Sequence, residues 1–198
     1  LIDTSSHYSA SSSGPSVGHG ASERLIGRVI AEAQEAGEVS REELLLSTKL
    51  GHVARGAETP PGAVRLALAQ GGGDDWHCIH PDFVQEEVRA SRERLGTAPD
   101  FVLLHNPEYF LSSQLQQRVP IADAWDEMYE RLRDAFKALE ALCDEGVIGS
   151  GYGVSGNFLS CLFSTTGRPN VYEALALDRV VDAAAAAASS SGGHPLGV

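Results

Sequence analysis

Residues 43–49 read ELLLSTK, a continuous apolar run of strand length that ends on a lysine. A strand with one face in water alternates apolar and polar residues. An unbroken run has both faces covered, as in the parallel sheets of α/β proteins. The signature recurs at 100–105, DFVLLH, which ends on His105. It recurs in shortened form where Leu1 and Ile2 run into Asp3, and again within VIGSGYGVS, 147–155. The stretches between these runs have helical spacing instead. From Ser22 to Ala36, Leu25, Ile26, Val29, Ile30 and Ala33 fall on one stripe, with Ser22 placed to cap the start and Gly37 the end. Asp82 to Leu95 carries acids early (Asp82, Glu86, Glu87) and arginines late (Arg89, Arg92, Arg94), the order that complements a helix dipole. The strongest helix runs from Ala122 to Glu145, with Trp125, Met128, Leu132, Phe136, Leu139 and Cys143 inward, Glu127 and Arg131 paired outside, and Gly146 as its stop. A last helix is expected from Val171 to Ala188, its alanine run acting as filler.

Strands with continuous apolar runs that alternate with amphipathic helices imply parallel βα units. No G-x-G-x-x-G stands at a strand-to-helix turn, which disfavours a dinucleotide-binding Rossmann unit. The glycines of GSGYGVSG (149–156) follow a helix and include the strand itself. The reading left is an α/β fold, a partial (β/α)8 TIM barrel holding roughly strands 2 to 5 with their helices. A complete barrel takes about 250 residues, against 198 here. The chain, which opens on Leu1 inside a strand, is expected to be a single incomplete barrel domain over residues 1–198. Loop insertions are expected at 9–21, rich in serine and glycine, and at 52–79, which holds Pro60 and Pro61. The stretch NPEYFLSSQ (106–114) also reads as loop.

Composition narrows the function classes. Net charge is −12, from 27 acidic and 15 basic residues, and no basic run offers a nucleic acid its footprint. No apolar run approaches the roughly 20 residues of a membrane span. Cys78, Cys143 and Cys161 are widely spaced and odd in number, which suits a reducing, cytoplasmic setting.

In a βα barrel the C-terminal ends of all strands share one face, where active sites sit. Asp3, Lys49 and His105 would therefore converge, with Tyr8 on the loop just after Asp3. A buried lysine needs a counter-charge, which Asp3 can supply. An ammonium beside a phenol favours the phenolate, which makes Tyr8 a usable proton donor near neutral pH. Any one of these residues alone reads as a strand-end marker. All four together, in the order Asp, Tyr, Lys, His, read as an acid–base site. His77 and His80 in HCIH have metal-like spacing, but no second ligand pair follows, so they are taken as loop histidines and no metal is expected. The Ser9–Ser13 run has no G-x-S-x-G elbow and reads as solvated loop. For Tyr109 and Phe110, lining a pocket and covering the barrel mouth weigh equally.

These segments resemble the aldo-keto reductase family. DTSSHY (3–8) is similar to its D-T-A-x-x-Y, SERLIG (22–27) to the S-E-x-x-L-G that follows, and LLLSTKLG (44–51) to the strand bearing its catalytic lysine. RLGTAPDFVLLHNP (94–107) resembles the segment that ends on its catalytic histidine, and LEALCDEGVIGSGYGVSGN (139–157) its L-x-x-L-x-x-x-G-K-I-R-x-I-G-V-S-N. The resemblance implies hydride transfer between a nicotinamide cofactor, NADP or NAD, and the carbonyl of an aldehyde, a ketone or a sugar. It assigns Tyr8 as proton donor, Lys49 and Asp3 as the pair that tunes it, and His105 as the group that orients the carbonyl. Ser155 and Asn157 would hold the nicotinamide amide, with Gly156 intervening. The expected partner is a small carbonyl or sugar substrate, with neither nucleic acid nor membrane. Two alternatives accompany this reading: a non-catalytic regulatory module of the same fold, and an inactive fragment that binds cofactor poorly because four βα units cannot close a barrel.

Overall fold

The computed structural model describes residues 1–8, 18–66, 75–156 and 175–188. In chain order the elements are β1 (Ile2–Asp3), α1 (Ala21–Glu35), a 3-10 turn (Arg41–Glu43), β2 (Leu46–Leu50), β3 (Val64–Arg65) and β4 (Trp76–His77). Then come α2 (Pro81–Leu95), β5 (Phe101–His105), α3 (Tyr109–Gln116), α4 (Ile121–Asp144), β6 (Gly151–Ser155) and α5 (Leu177–Ala187). Strands β1, β2, β5 and β6 lie side by side in that order and all pair in parallel, forming an arc of a (β/α)8 barrel.

Register decides where the polar residues go. Asp3 pairs with Ser47 and Ser47 with Phe101, Lys49 pairs with Leu103, and His105 with Ser155. Side chains alternate faces along a strand, so Asp3, Lys49, His105 and Ser155 share one face. The opposite face meets the helices. There Thr48 bonds Glu23 of α1, and the buried Tyr152 donates to Glu140 of α4 at 2.5 Å. The main core lies on this side, built from Met128, Leu132, Phe136 and Leu139 of α4, Val84 and Val88 of α2, and Val102 and Leu104 of β5. Each such side chain contributes about 1.5–3 kcal/mol through burial.

Several elements depart from the periodicity reading. In α1, Leu25 and Val29 are 38% and 53% exposed, whereas Glu23, Gly27 and Ile30 are buried. The cause is a close crossing with α2: a Cβ on Gly27 would stand 2.7 Å from the carbonyl oxygens of both Arg94 and Leu95. Ser22 does not cap the helix. It lies within the first turn and shares a hydrogen bond with Thr4 at 2.8 Å. The expected loop at 106–114 contains α3, whose Phe110, Leu111 and Ser113 are buried. Within 52–79, β3 and β4 pair as an antiparallel ladder, and His52 forms a bridge to His77. Arg131 bonds Glu127 as expected, and it also donates to Gly62 O at 2.9 Å, tying α4 to the loop before β3. The last helix is described from Leu177; residues 171–174, where its start was expected, lie outside the described residues, as do most of 9–21 and Cys161. No helix among the described residues is long and apolar enough to cross a membrane.

Candidate active site

Lys49 is 5% exposed and lies on the inner face of β2. Its ammonium forms an ion pair with Asp3 Oδ2, donates to Thr4 O at 3.0 Å and reaches the Tyr8 hydroxyl at 3.4 Å. The same nitrogen stands 4.9 Å from the centre of the Tyr8 ring. Backbone bonds hold Tyr8 in this seat. Ser6 N donates to Lys49 O at 3.1 Å, Tyr8 N to Ser5 O at 3.1 Å, and Ser22 N to Tyr8 O at 3.2 Å. The turn after β1 is thus fastened to β2 on one side and to α1 on the other. Tyr8 itself is 39% exposed.

His105 ends β5, and its ring meets Tyr8 edge-on at 5.8 Å between centroids. Its Nδ1 stands 3.5 Å from Ser5 Oγ. Burial first, then the charges of Lys49, His7 and His77, push the His105 pKa down to about 4, against an upward pull from Asp3. At neutral pH the ring is an uncharged imidazole, able to donate one hydrogen bond without carrying a proton to transfer.

Three further histidines gather beside it. His7 stacks on His52 with centroids 4.0 Å apart, and His52 meets the edges of His77, His105 and Tyr109. His77 donates from Nε2 to His105 O at 2.6 Å. Burial holds His77 near 4, and burial plus the neighbouring imidazoles hold His52 near 2. Gly51 is obligatory at this junction. Its φ is +147°, and a Cβ would stand 2.6 Å from His77 Nε2 and 2.7 Å from His105 O.

The structure therefore brings Asp3, Tyr8, Lys49 and His105 together, and sets Ser155 beside His105 at the end of β6. Asn157 lies outside the described residues. The expectation that His77 is a loop histidine needs correcting, since it is on β4 and 2% exposed; His80 lies between elements, where it caps α2 by accepting from Asp82 N. Among the described residues no group of three His, Cys, Asp or Glu could hold a metal. Tyr109 meets the edges of His52 and His77, and Phe110 is buried in the main core beneath the Arg131 guanidinium. His7 and His52 were missed by the sequence reading. The available signal was position, since each lies within a few residues of a strand-end residue already singled out.

The fold is thus a parallel βα arc of a barrel, with a lysine, a tyrosine, an aspartate and a histidine meeting at its strand ends. The model for the aldo/keto reductase family matches residues 1–160, and the chain belongs to that family. Among solved structures, it is similar to an aldo-keto reductase from Bacillus halodurans in its holo form, at 25% identity and a TM-score of 0.43, over 79% of this chain and 36% of that one. It is also similar to a Bombyx mori aldo-keto reductase in complex with NADP, at 20% identity and a TM-score of 0.44, over 84% of this chain and 37% of that one. A third is the aldose reductase from Schistosoma japonicum, at 19% identity and a TM-score of 0.45, over 80% and 40%. The chain thus spans well under half the length of these proteins. A comparison with curated proteins gives no match.

Proposed function

We propose that the protein is an NADP- or NAD-dependent oxidoreductase that interconverts an aldehyde or ketone, sugars included, and the corresponding alcohol, with Tyr8 as proton donor. The observation that carries this reading is the 3.4 Å approach of the buried Lys49 ammonium to the Tyr8 hydroxyl, with Asp3 paired to the same nitrogen. In reduction, the carbonyl oxygen accepts hydrogen bonds from Tyr8 and from the neutral His105. As negative charge grows on that oxygen, Tyr8 gives up its proton and becomes phenolate. Lys49 stabilises the phenolate, and it does so strongly because it is shielded from water. Asp3 pairs with the lysine and keeps it aimed at Tyr8. In oxidation, the phenolate takes the proton from the alcohol.

Support for a nicotinamide cofactor comes from Ser155, which is partly exposed at the end of β6 in register with His105. Ser155 and Asn157 would hold the carboxamide. A nicotinamide bound there supplies or accepts the hydride.

The test is Tyr8→Phe, assayed by NADPH oxidation with a panel of aldehydes. Turnover should fall by about 10²–10⁴-fold, the usual contribution of a positioned proton donor. Quenching of protein fluorescence by NADPH should be unchanged, because the hydroxyl is not used to hold the cofactor. Equal turnover by variant and parent would refute the assignment.

A further inference from the structure

Lys49 and Tyr8 come from separate segments, and one short piece of chain is bonded to both. Ser22 and Glu23 are neighbours in the first turn of α1. Ser22 N donates to Tyr8 O at 3.2 Å, and the Ser22 hydroxyl shares a hydrogen bond of 2.8 Å with Thr4 Oγ1. Thr4 is fully buried, and its carbonyl accepts from the Lys49 ammonium at 3.0 Å. Glu23, also fully buried, accepts at Oε1 from Thr48 Oγ1 at 2.5 Å. Thr48 directly precedes Lys49 in β2, and its side chain leaves the opposite face of the strand.

The turn is itself seated firmly. Arg94 of α2 donates from Nε to the second Glu23 oxygen at 2.6 Å. A Cβ on Gly27, one turn further along α1, would stand 2.7 Å from α2 backbone, so the two helices cross without slack. Lys49 is thus tied to this turn through Thr48 on the helix side and through Thr4 on the site side. Tyr8 is tied to it by its own carbonyl. The gap that results is 3.4 Å between Lys49 Nζ and the Tyr8 hydroxyl. Stabilisation of a growing phenolate falls with distance, and a displacement of about 1 Å can cost about 10²-fold in rate.

We propose that the first turn of α1 sets the distance between Lys49 and Tyr8, with Ser22, Glu23 and Thr48 as positioning residues for proton transfer. The proposal rests on reading Tyr8 as the proton donor. None of the three positioning side chains meets the substrate. They act through Thr4, Lys49 and Tyr8, so their loss should slow the proton step and leave binding alone.

Thr48→Val tests this with least disturbance, because valine fills the same volume and lacks only the hydroxyl. With NADPH and an aldehyde, kcat should fall about tenfold or more. KM for both should stay within about twofold of the parent, the split expected when only the chemical step is slowed. Thr48→Ser, which keeps the hydroxyl, should restore most of kcat. Val88→Ala, in the core face of α2, lowers the melting temperature without touching the turn, and its kcat should match the parent. Unchanged kcat in Thr48→Val, or an equal loss in Val88→Ala, overturns the proposal.

A second measurement needs no turnover. With tyrosines labelled with carbon-13 at Cζ, the Tyr8 signal is the one lost in Tyr8→Phe, and its position reports phenol against phenolate. At one fixed alkaline pH, Thr48→Val should carry less Tyr8 phenolate than the parent, because a nearby ammonium favours that form. Thr48→Ser should match the parent. If the parent reduces no aldehyde, the reductase reading fails alone, and the Tyr8 signal still decides the role of the turn. A Tyr8 signal identical in parent and Thr48→Val overturns that role whatever the kinetics.

Discussion

Replacing Glu23 with glutamine tests how the strand that carries Lys49 is braced. Glu23 is fully buried, and each of its oxygens has a partner: Thr48 Oγ1 donates to Oε1 at 2.5 Å and Arg94 Nε to Oε2 at 2.6 Å. Arg94 also donates to Glu87 Oε1 at 2.6 Å and to Ser91 Oγ at 2.9 Å. Burial pulls the Arg94 guanidinium down, but the two carboxylates outweigh it and hold its pKa above the ordinary value. In Glu23→Gln one oxygen becomes an NH2 that faces either a hydroxyl or a guanidinium donor, and the buried charge of Arg94 loses half its compensation. Breaking a buried pair by removing one partner costs about 3–5 kcal/mol. Because Glu87 stays with Arg94, the lower end, about 3 kcal/mol, is expected. Arg94→Met should cost at least as much, since it takes the cation away from two acids at once. The double variant should then cost less than the sum by about 1–3 kcal/mol, as for residues in one network. Urea unfolding followed by circular dichroism, with m-values checked for constancy, measures all three. Additive losses, or a Glu23→Gln variant within about 0.5 kcal/mol of the parent, would show that the network contributes little.

Acid should weaken the fold through the imidazoles. His77 and His105 stand near 4 chiefly because they are buried, so in the unfolded chain they bind protons at higher pH than in the folded one. Stability is therefore whole above about pH 6.5 and is lost as pH falls towards 4, at about 1.4 kcal/mol per unit for the fully buried His77. His77→Gln should flatten that slope in urea titrations run between neutral and mildly acidic pH. An identical slope in parent and variant would contradict it. Gly27→Ala should cost about 1–3 kcal/mol by forcing α1 and α2 apart, because the added carbon meets backbone that cannot rotate away. A melting temperature equal to that of the parent would mean that the helices slide freely.

Much of the barrel is legible in the amino-acid sequence alone. The runs at 43–49 and 100–105 become β2, which starts three residues later and ends one later, and β5, which starts one residue later, because an unbroken apolar run suits a strand of a parallel sheet. The shared face of Asp3, Lys49 and His105 follows from alternation along each strand and from parallel pairing. Helix α2 is equally plain, since its acids and arginines sort along the dipole and its start and end carry local signals in Pro81 and Gly96. These features are local and repeated, so neighbouring residues suffice to specify them.

What only the tertiary structure decided depends on residues far apart in the chain. The inward face of α1 carries Glu23, a choice that makes sense only once Arg94, 71 positions later, arrives to neutralise it. The apolar Leu25 and Val29 consequently lie outside, against the helical pattern. Helix α3 hid behind a proline and a short polar stretch, and its helical state depends on burying Phe110 and Leu111. Tyr8 was placed near the site by its position after Asp3, but its seat is made by backbone bonds from β2 and α1. The cluster of His7, His52, His77 and His105 has no sequence period at all. Those rings meet because the parallel sheet brings the ends of β1, β2 and β5 to one rim and the separate β3–β4 ladder, bridged to His52, adds His77. These are contacts between distant segments, which local periodicity does not encode.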